Sequence, residues 1–364
     1  MIREGRFGVF EGIALLLFVT LGKIYLSYAS DLIKENLSAA WLAVLLGSLI
    51  AVAWFLPLLA LLSRFSGEDL IGIGEKVLGP VGGALLVGPI LFFVFFSAVV
   101  VLRQVGETII GTALPQTPLV AILILLAGIA ALTAHWGIES TARVTSLAAP
   151  YILAGGVFLF FLQQPNMDFD YLAPFWGPGW KKLLLNSFLR SSLQNEMVLL
   201  GFLAPCLPRK KLPAVGLWSI GLATFLLTAA MAVGQTIFPP AIAAEHTFPF
   251  YEIARSIYLS RFFERLEMLF ILVWLGFALL SLSVRFYISV AGLAKFLKLP
   301  YYQPLVPMAA LLLLAGALLL PDYPTTIYLD NLFRGRWAWL PAFAFPALLY
   351  LGSLLRSKKR GAEE

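Results

Sequence analysis

Between Arg190 and Glu196 the chain reads RSSLQNE, and six of those seven side chains donate or accept hydrogen bonds. They sit at the centre of an otherwise apolar segment, 182–207. A guanidinium, a carboxylate, two amides and two hydroxyls at that density offer partners to both ends of a small zwitterion, or to an ion. A second interruption, Thr20-Leu21-Gly22-Lys23, lies past the middle of the apolar segment 7–29. Gly22 can leave helical geometry at low steric cost, although a lone glycine in a membrane helix also serves close packing. Lys23 has three readings: it snorkels to the interface, pairs with a carboxylate such as Glu196 or Glu107, or sits neutral in a dry site.

Further charges recur inside apolar runs. Arg103 and Glu107 are four apart, so on a helix they share a face and can pair, as an internal ion pair or a gate. Ser281 and Ser283 are small polar positions able to face the same midplane site. In the stretch Thr247 to Trp274, Phe250, Ile253, Ala254 and Ile257 follow helical spacing. That pattern predicts an amphipathic helix across the outer mouth, with Arg261, Glu264 and Arg265 at the entry to the next span. Cys206 is the one cysteine and His135 and His246 are the two histidines, which is too few for a metal cage and leaves no nucleophile beside a base; neither cofactor nor metal is expected.

The elements that must position these groups are transmembrane helices. The chain is 60% hydrophobic and 13% charged, with mean hydropathy +0.89, and runs of about 20 apolar residues recur throughout. The expected fold is an all-α polytopic membrane protein forming one domain, 1–364. Ten spans are expected near 7–29, 39–62, 82–112, 118–135, 143–163, 182–207, 214–237, 264–286, 304–320 and 338–355. The third is long enough to tilt. Ten crossings put both termini on one side, and fifteen loop lysines and arginines on that side against eight on the other make it the cytoplasm. Arg285 is counted inside in that tally, and Arg334 and Arg336 outside. Because the net charge of +6 is carried in short loops, it reports topology rather than nucleic-acid binding. The first apolar run is read as an uncleaved helix rather than a signal peptide.

The two interruptions occupy matching places. Segments one and six each begin a set of five, 7–163 and 182–355, ahead of a short tail, 356–364. An odd number of helices per set makes the two sets opposite in topology. Broken helices in equivalent positions of inverted halves point to a binding site at the bilayer midplane, where freed backbone groups hold charged ligands.

The phrases TLGKIYLSYAS, NEMVLLGFLAPCL ahead of PRKK, TFPFYEIARSI and FFERLEMLFILVW carry a resemblance. In these, and over its whole length, the chain resembles the B subunit of spore-germination nutrient receptors, relatives of the amino acid, polyamine and organocation permeases. The resemblance implies a LeuT-like fold of two inverted five-helix repeats, the inner membrane of a bacterial spore, and a small germinant such as an amino acid. It also implies A-type and C-type partner subunits. Helices one, three, six and eight would then surround the ligand. This maps onto Thr20, Leu21, Gly22 and Lys23; Val100, Val101 and Arg103; Leu193, Gln194, Asn195 and Glu196; and Ser281 and Ser283. Many relatives carry a more glycine-rich first break than this one. Two other functions fit the same sequence: a proton- or cation-coupled amino-acid transporter, and an ion-release channel or scaffold subunit.

Overall fold

The computed structural model describes residues 5–22, 28–258 and 266–360. Lys23, Arg261, Glu264 and Arg265 lie outside the described residues. Among the described residues, seven helices are long and apolar enough to cross a membrane, and Val9–Leu21 and Gln303–Leu319 are shorter apolar helices.

In chain order, α1 is Val9–Leu21, α2 Ala29–Asn36 and α3 Ala40–Arg64. The 43-residue α4, Leu70–Thr112, is followed by α5, Leu119–Trp136, and α6, Ile138–Leu162. The second half begins with α7, Trp180–Leu189, and α8, Leu200–Leu203, separated by a 3-10 stretch, Arg190–Leu199. After these come α9, Leu212–Gln235, and the short α10, Pro240–Glu245, and α11, Pro249–Arg255. The long α12, Glu267–Phe296, precedes α13, Val306–Leu319, α14, Tyr323–Asp330, and α15, Phe345–Arg360.

Helix α12 lies at the centre, packed on α1, α4, α5 and α6, while α3 packs on α9 and on the 190–199 stretch. Large apolar side chains such as Leu85, Phe92, Leu147, Tyr151 and Phe161 stay exposed on the outside, as helices facing lipid require. Trp176, Trp180, Trp337 and Trp339 are exposed as well, in keeping with interfacial anchors. The apolar face of α11 is present: Phe250, Ile253, Ala254 and Ile257 are all buried, three of them within the helix and Ile257 just past its end.

Helix α4 is two helices joined at Gly79, whose φ of 78° falls where glycine is favoured, just before Pro80. The first starts at Leu70, with Asp69 capping it by accepting from the Gly72 N–H at 2.8 Å, and the second runs on to Thr112, close to the expected third segment. Two expectations need correction. The eighth span continues past 286 to Phe296, so Arg285 is inside the helix and not in a cytoplasmic loop. Hydropathy falls at a charge, but this charge is neutralised within the protein. The tenth segment starts at Tyr323, and Arg334 is buried in a π-helical stretch, Asn331–Trp337, rather than standing in an outer loop. Removing one arginine from each side leaves the loop-charge bias in the same sense.

Candidate functional site

The end of α1 meets the middle of α12. Gly22 caps α1 with right-handed φ and ψ of −55° and −25°, donating its N–H to the Phe18 carbonyl at 3.2 Å. It therefore stays helical, packed against α12. A methyl at Gly22 would lie 3.6 Å from the Phe277 carbonyl and 3.6 Å from Ser281 Cβ, which is ordinary contact. The Phe18 and Phe277 rings pack beside it with centroids 4.5 Å apart. Ser281 Oγ donates to the Val19 carbonyl at 3.5 Å, whereas Thr20 Oγ1 is satisfied by its own helix, donating to Leu16 at 2.8 Å.

The sixth segment loses α-helical geometry where its polar residues begin. From Arg190 to Leu199 the backbone is 3-10 helical in two runs joined at Gln194, which is off helical values at φ −100° and ψ 22°, and all ten residues are buried. Runs of 3-10 structure beyond three or four residues are uncommon, and serine and asparagine side chains compete for backbone partners. Both do so here: Ser191 Oγ donates to the Phe188 carbonyl and Asn195 Nδ2 to the Ser192 carbonyl, each at 2.7 Å.

Two charged networks meet this stretch. In the first, Arg285 Nη2 donates to Glu196 Oε1 at 3.0 Å, with both side chains no more than 2% exposed. The same guanidinium donates to Ser97 Oγ at 3.0 Å, to the Ser281 carbonyl and the Val19 carbonyl at 3.3 Å each, and to Ser281 Oγ. In the second, Asp330 accepts from Arg334 Nη2 at 3.0 Å and from Gln104 Nε2 at 3.1 Å. Ser192 Oγ donates to the Gly335 carbonyl at 2.7 Å and Asn195 Nδ2 to the Arg334 carbonyl at 3.4 Å, which fastens the second network to the stretch.

The structure thus brings Gly22, Ser281 and Glu196 to one locus around Arg285, while Asn195 bonds into the second network. Gln194 turns elsewhere, donating to Ser48 Oγ on α3 at 3.2 Å and to Thr224 Oγ1 on α9 at 3.4 Å. Arg103 and Glu107 do pair, at 2.7 Å, but Arg103 also donates to the Ala317 and Pro321 carbonyls at 3.2 and 3.3 Å, which places it at the seam with α13. Leu21, Val100, Val101, Leu193 and Ser283 are buried. Sequence reasoning missed Arg285, Arg334 and Asp330. The available signal was Glu196 itself, since a carboxylate in mid-membrane calls for a buried cation.

On the other side of the stretch opens a cavity of about 940 Å³, lined by Lys34, Trp54, Tyr328, Arg336 and Trp339 among others. A latch closes its inner wall. Arg190 binds Glu35 through two bonds of 2.9 and 2.5 Å and donates to Asn331 Oδ1 at 3.2 Å; Asn331 Nδ2 donates to Asp31 at 2.6 Å. The latch joins α2, the 3-10 stretch and the π-helical turn after α14. Among the described residues no group of three or more metal-ligating side chains gathers.

The sequence model of the family described as "Spore germination protein" matches residues 8–321. The chain belongs to that family. The chain is also similar to spore germination protein KB of Bacillus subtilis (strain 168), 23% identical over 88% of each chain, and to spore germination protein XB of Bacillus anthracis. The latter is 22% identical over 76% of this chain and 78% of its own. Solved structures place this chain in the LeuT-like fold. MhsT in complex with L-phenylalanine superposes with TM-score 0.70 at 16% identity over 96% of this chain and 89% of its own. Mhp1, a nucleobase-cation-symport-1 family transporter, superposes with TM-score 0.65 at 15% identity over 90% and 75%. The spore germination protein is a membrane protein of germinant-receptor or transporter-like type, and its family and fold neighbours are permeases and transporters.

Proposed function

We propose that this chain is the ligand-recognising membrane subunit of a spore nutrient-germinant receptor. A small zwitterion such as an amino acid binds where α1 ends against the 3-10 stretch of the sixth segment. The observation that carries this reading is the convergence of Glu196, Arg285, Ser281 and the Val19 carbonyl at the two helix ends. The L-phenylalanine named with MhsT supports an amino acid as the ligand class. In this reading residues 7–163 and 182–355 are inverted repeats, both termini are cytoplasmic, and the chain resides in the spore inner membrane with A-type and C-type subunits. Ligand binding favours one of two conformations, and the Arg190–Glu35 latch is an element that can differ between them.

A panel of amino acids tested by thermal shift on the purified protein checks the reading. A ligand present at about 100 times its Kd stabilises by about 2.7 kcal/mol, so one member of the panel should raise the unfolding midpoint in a saturable way. Stabilisation by none of them would contradict it. Uptake of the same ligand into liposomes by this chain alone would instead assign transport.

A further inference from the structure

We infer that Arg285 is the built-in cation of the midplane site, so that this chain binds its ligand without sodium or any other alkali-metal ion. Five oxygens receive the Arg285 guanidinium: a carboxylate oxygen of Glu196, the hydroxyls of Ser97 and Ser281, and the backbone carbonyls of Ser281 and Val19. A carboxylate, hydroxyls and carbonyls are the donor set of a hard monovalent or divalent ion. One of those carbonyls, that of Val19, belongs to the last turn of α1. At a helix C-terminus the dipole presents its negative end. In transporters with broken helices such carbonyls coordinate the coupling ion. Here a side chain takes that role.

A guanidinium differs from a bound ion in two ways. Its charge is permanent at every pH the protein meets, and it is tethered to α12, so it cannot leave with a substrate. A metal ion added to the same oxygens would have to sit within hydrogen-bond distance of a fixed positive charge in a buried, water-poor setting, where repulsion is strong. One fold neighbour is named as a nucleobase-cation-symport-1 family transporter, but in this chain the cation at these oxygens is a side chain fixed to α12, which leaves no alkali-ion gradient to couple to. The inference rests on the helix-end locus being the ligand site, yet its test needs no ligand.

The unfolding midpoint of the ligand-free, full-length protein in detergent is measured while N-methyl-D-glucamine chloride is exchanged for LiCl, NaCl or KCl at constant ionic strength. The wild-type midpoint should stay within about 1 °C throughout, because no ion binds the native state selectively. Arg285→Ala vacates the oxygens and should acquire a saturable rise of several degrees with one of the ions. That rise should shrink when Glu196→Gln is added, and Arg285→Lys should restore indifference to the ion. Saturable stabilisation of the wild type by any alkali ion would overturn the inference, as would a folded Arg285→Ala protein that ignores all three. If Arg285→Ala does not fold in any salt, the wild-type titration and Arg285→Lys still decide. Failure of the amino-acid panel, by contrast, would remove the proposed ligand and leave the ion result standing.

Discussion

Replacing Glu196 with alanine should destabilise the protein by about 3–5 kcal/mol, the usual cost of removing one partner from a buried ion pair. The pair qualifies because Glu196 and Arg285 are 1% and 2% exposed and 3.0 Å apart. Once the carboxylate is gone, the guanidinium keeps its hydroxyl and carbonyl partners but has lost the only formal negative charge they include. Water cannot replace it without opening the packing around the pair, whose two side chains are almost wholly buried. Glu196→Gln should cost less, since an amide oxygen can still accept from Arg285. The double substitution Glu196→Leu, Arg285→Met should recover part of the loss, because the buried guanidinium is removed together with its carboxylate. Unfolding in detergent, followed by tryptophan fluorescence, measures all three. A Glu196→Ala protein as stable as wild type would show that the charge is not held dry.

Asp330→Ala should have an effect of comparable size, about 3–5 kcal/mol, for the same reason. It releases Arg334, which is 5% exposed on its side chain, and also frees Gln104 Nε2 on α4. The consequences reach further than one pair. Arg334 sits in the π-helical turn Asn331–Trp337, whose carbonyls at Arg334 and Gly335 accept from Asn195 and Ser192. Loosening that turn should therefore loosen the 3-10 stretch. Hydrogen exchange should rise at Ser192 and Asn195 in Asp330→Ala, at positions the substitution does not touch. Unchanged exchange there would show that the two networks are independent.

How much of this was legible in the residues depends on distance along the chain. The membrane class, the interruption at 190–196 and the Arg103–Glu107 pair all follow from local composition or spacing, and local signals survive in a sequence. Arg285 did not, because its partner Glu196 lies 89 residues away and only the folded chain brings them together. Hydropathy treated that arginine as the end of a span, yet its helix runs eleven residues further to Phe296. The partners of Gln194 were hidden for a related reason: its Nε2 donates to Ser48 and Thr224, which lie on α3 and α9 and which spacing along one helix does not reveal. Gly22 was read as a hinge or a packing site; its right-handed backbone and its contacts with Phe277 and Ser281 favour packing within the described residues.

The most direct test of the ligand site is equilibrium binding of the stabilising amino acid to purified wild type, Gly22→Ala and Gly22→Trp. A methyl at Gly22 meets its neighbours at 3.5 to 3.6 Å, so alanine should fold and bind like wild type. An indole there must enter the space between α1, α12 and the 3-10 stretch, and binding should fall at least about 100-fold, a change of about 2.7 kcal/mol, while the protein stays folded. Gly22→Trp that is folded and binds the ligand with wild-type affinity would contradict the placement of the site.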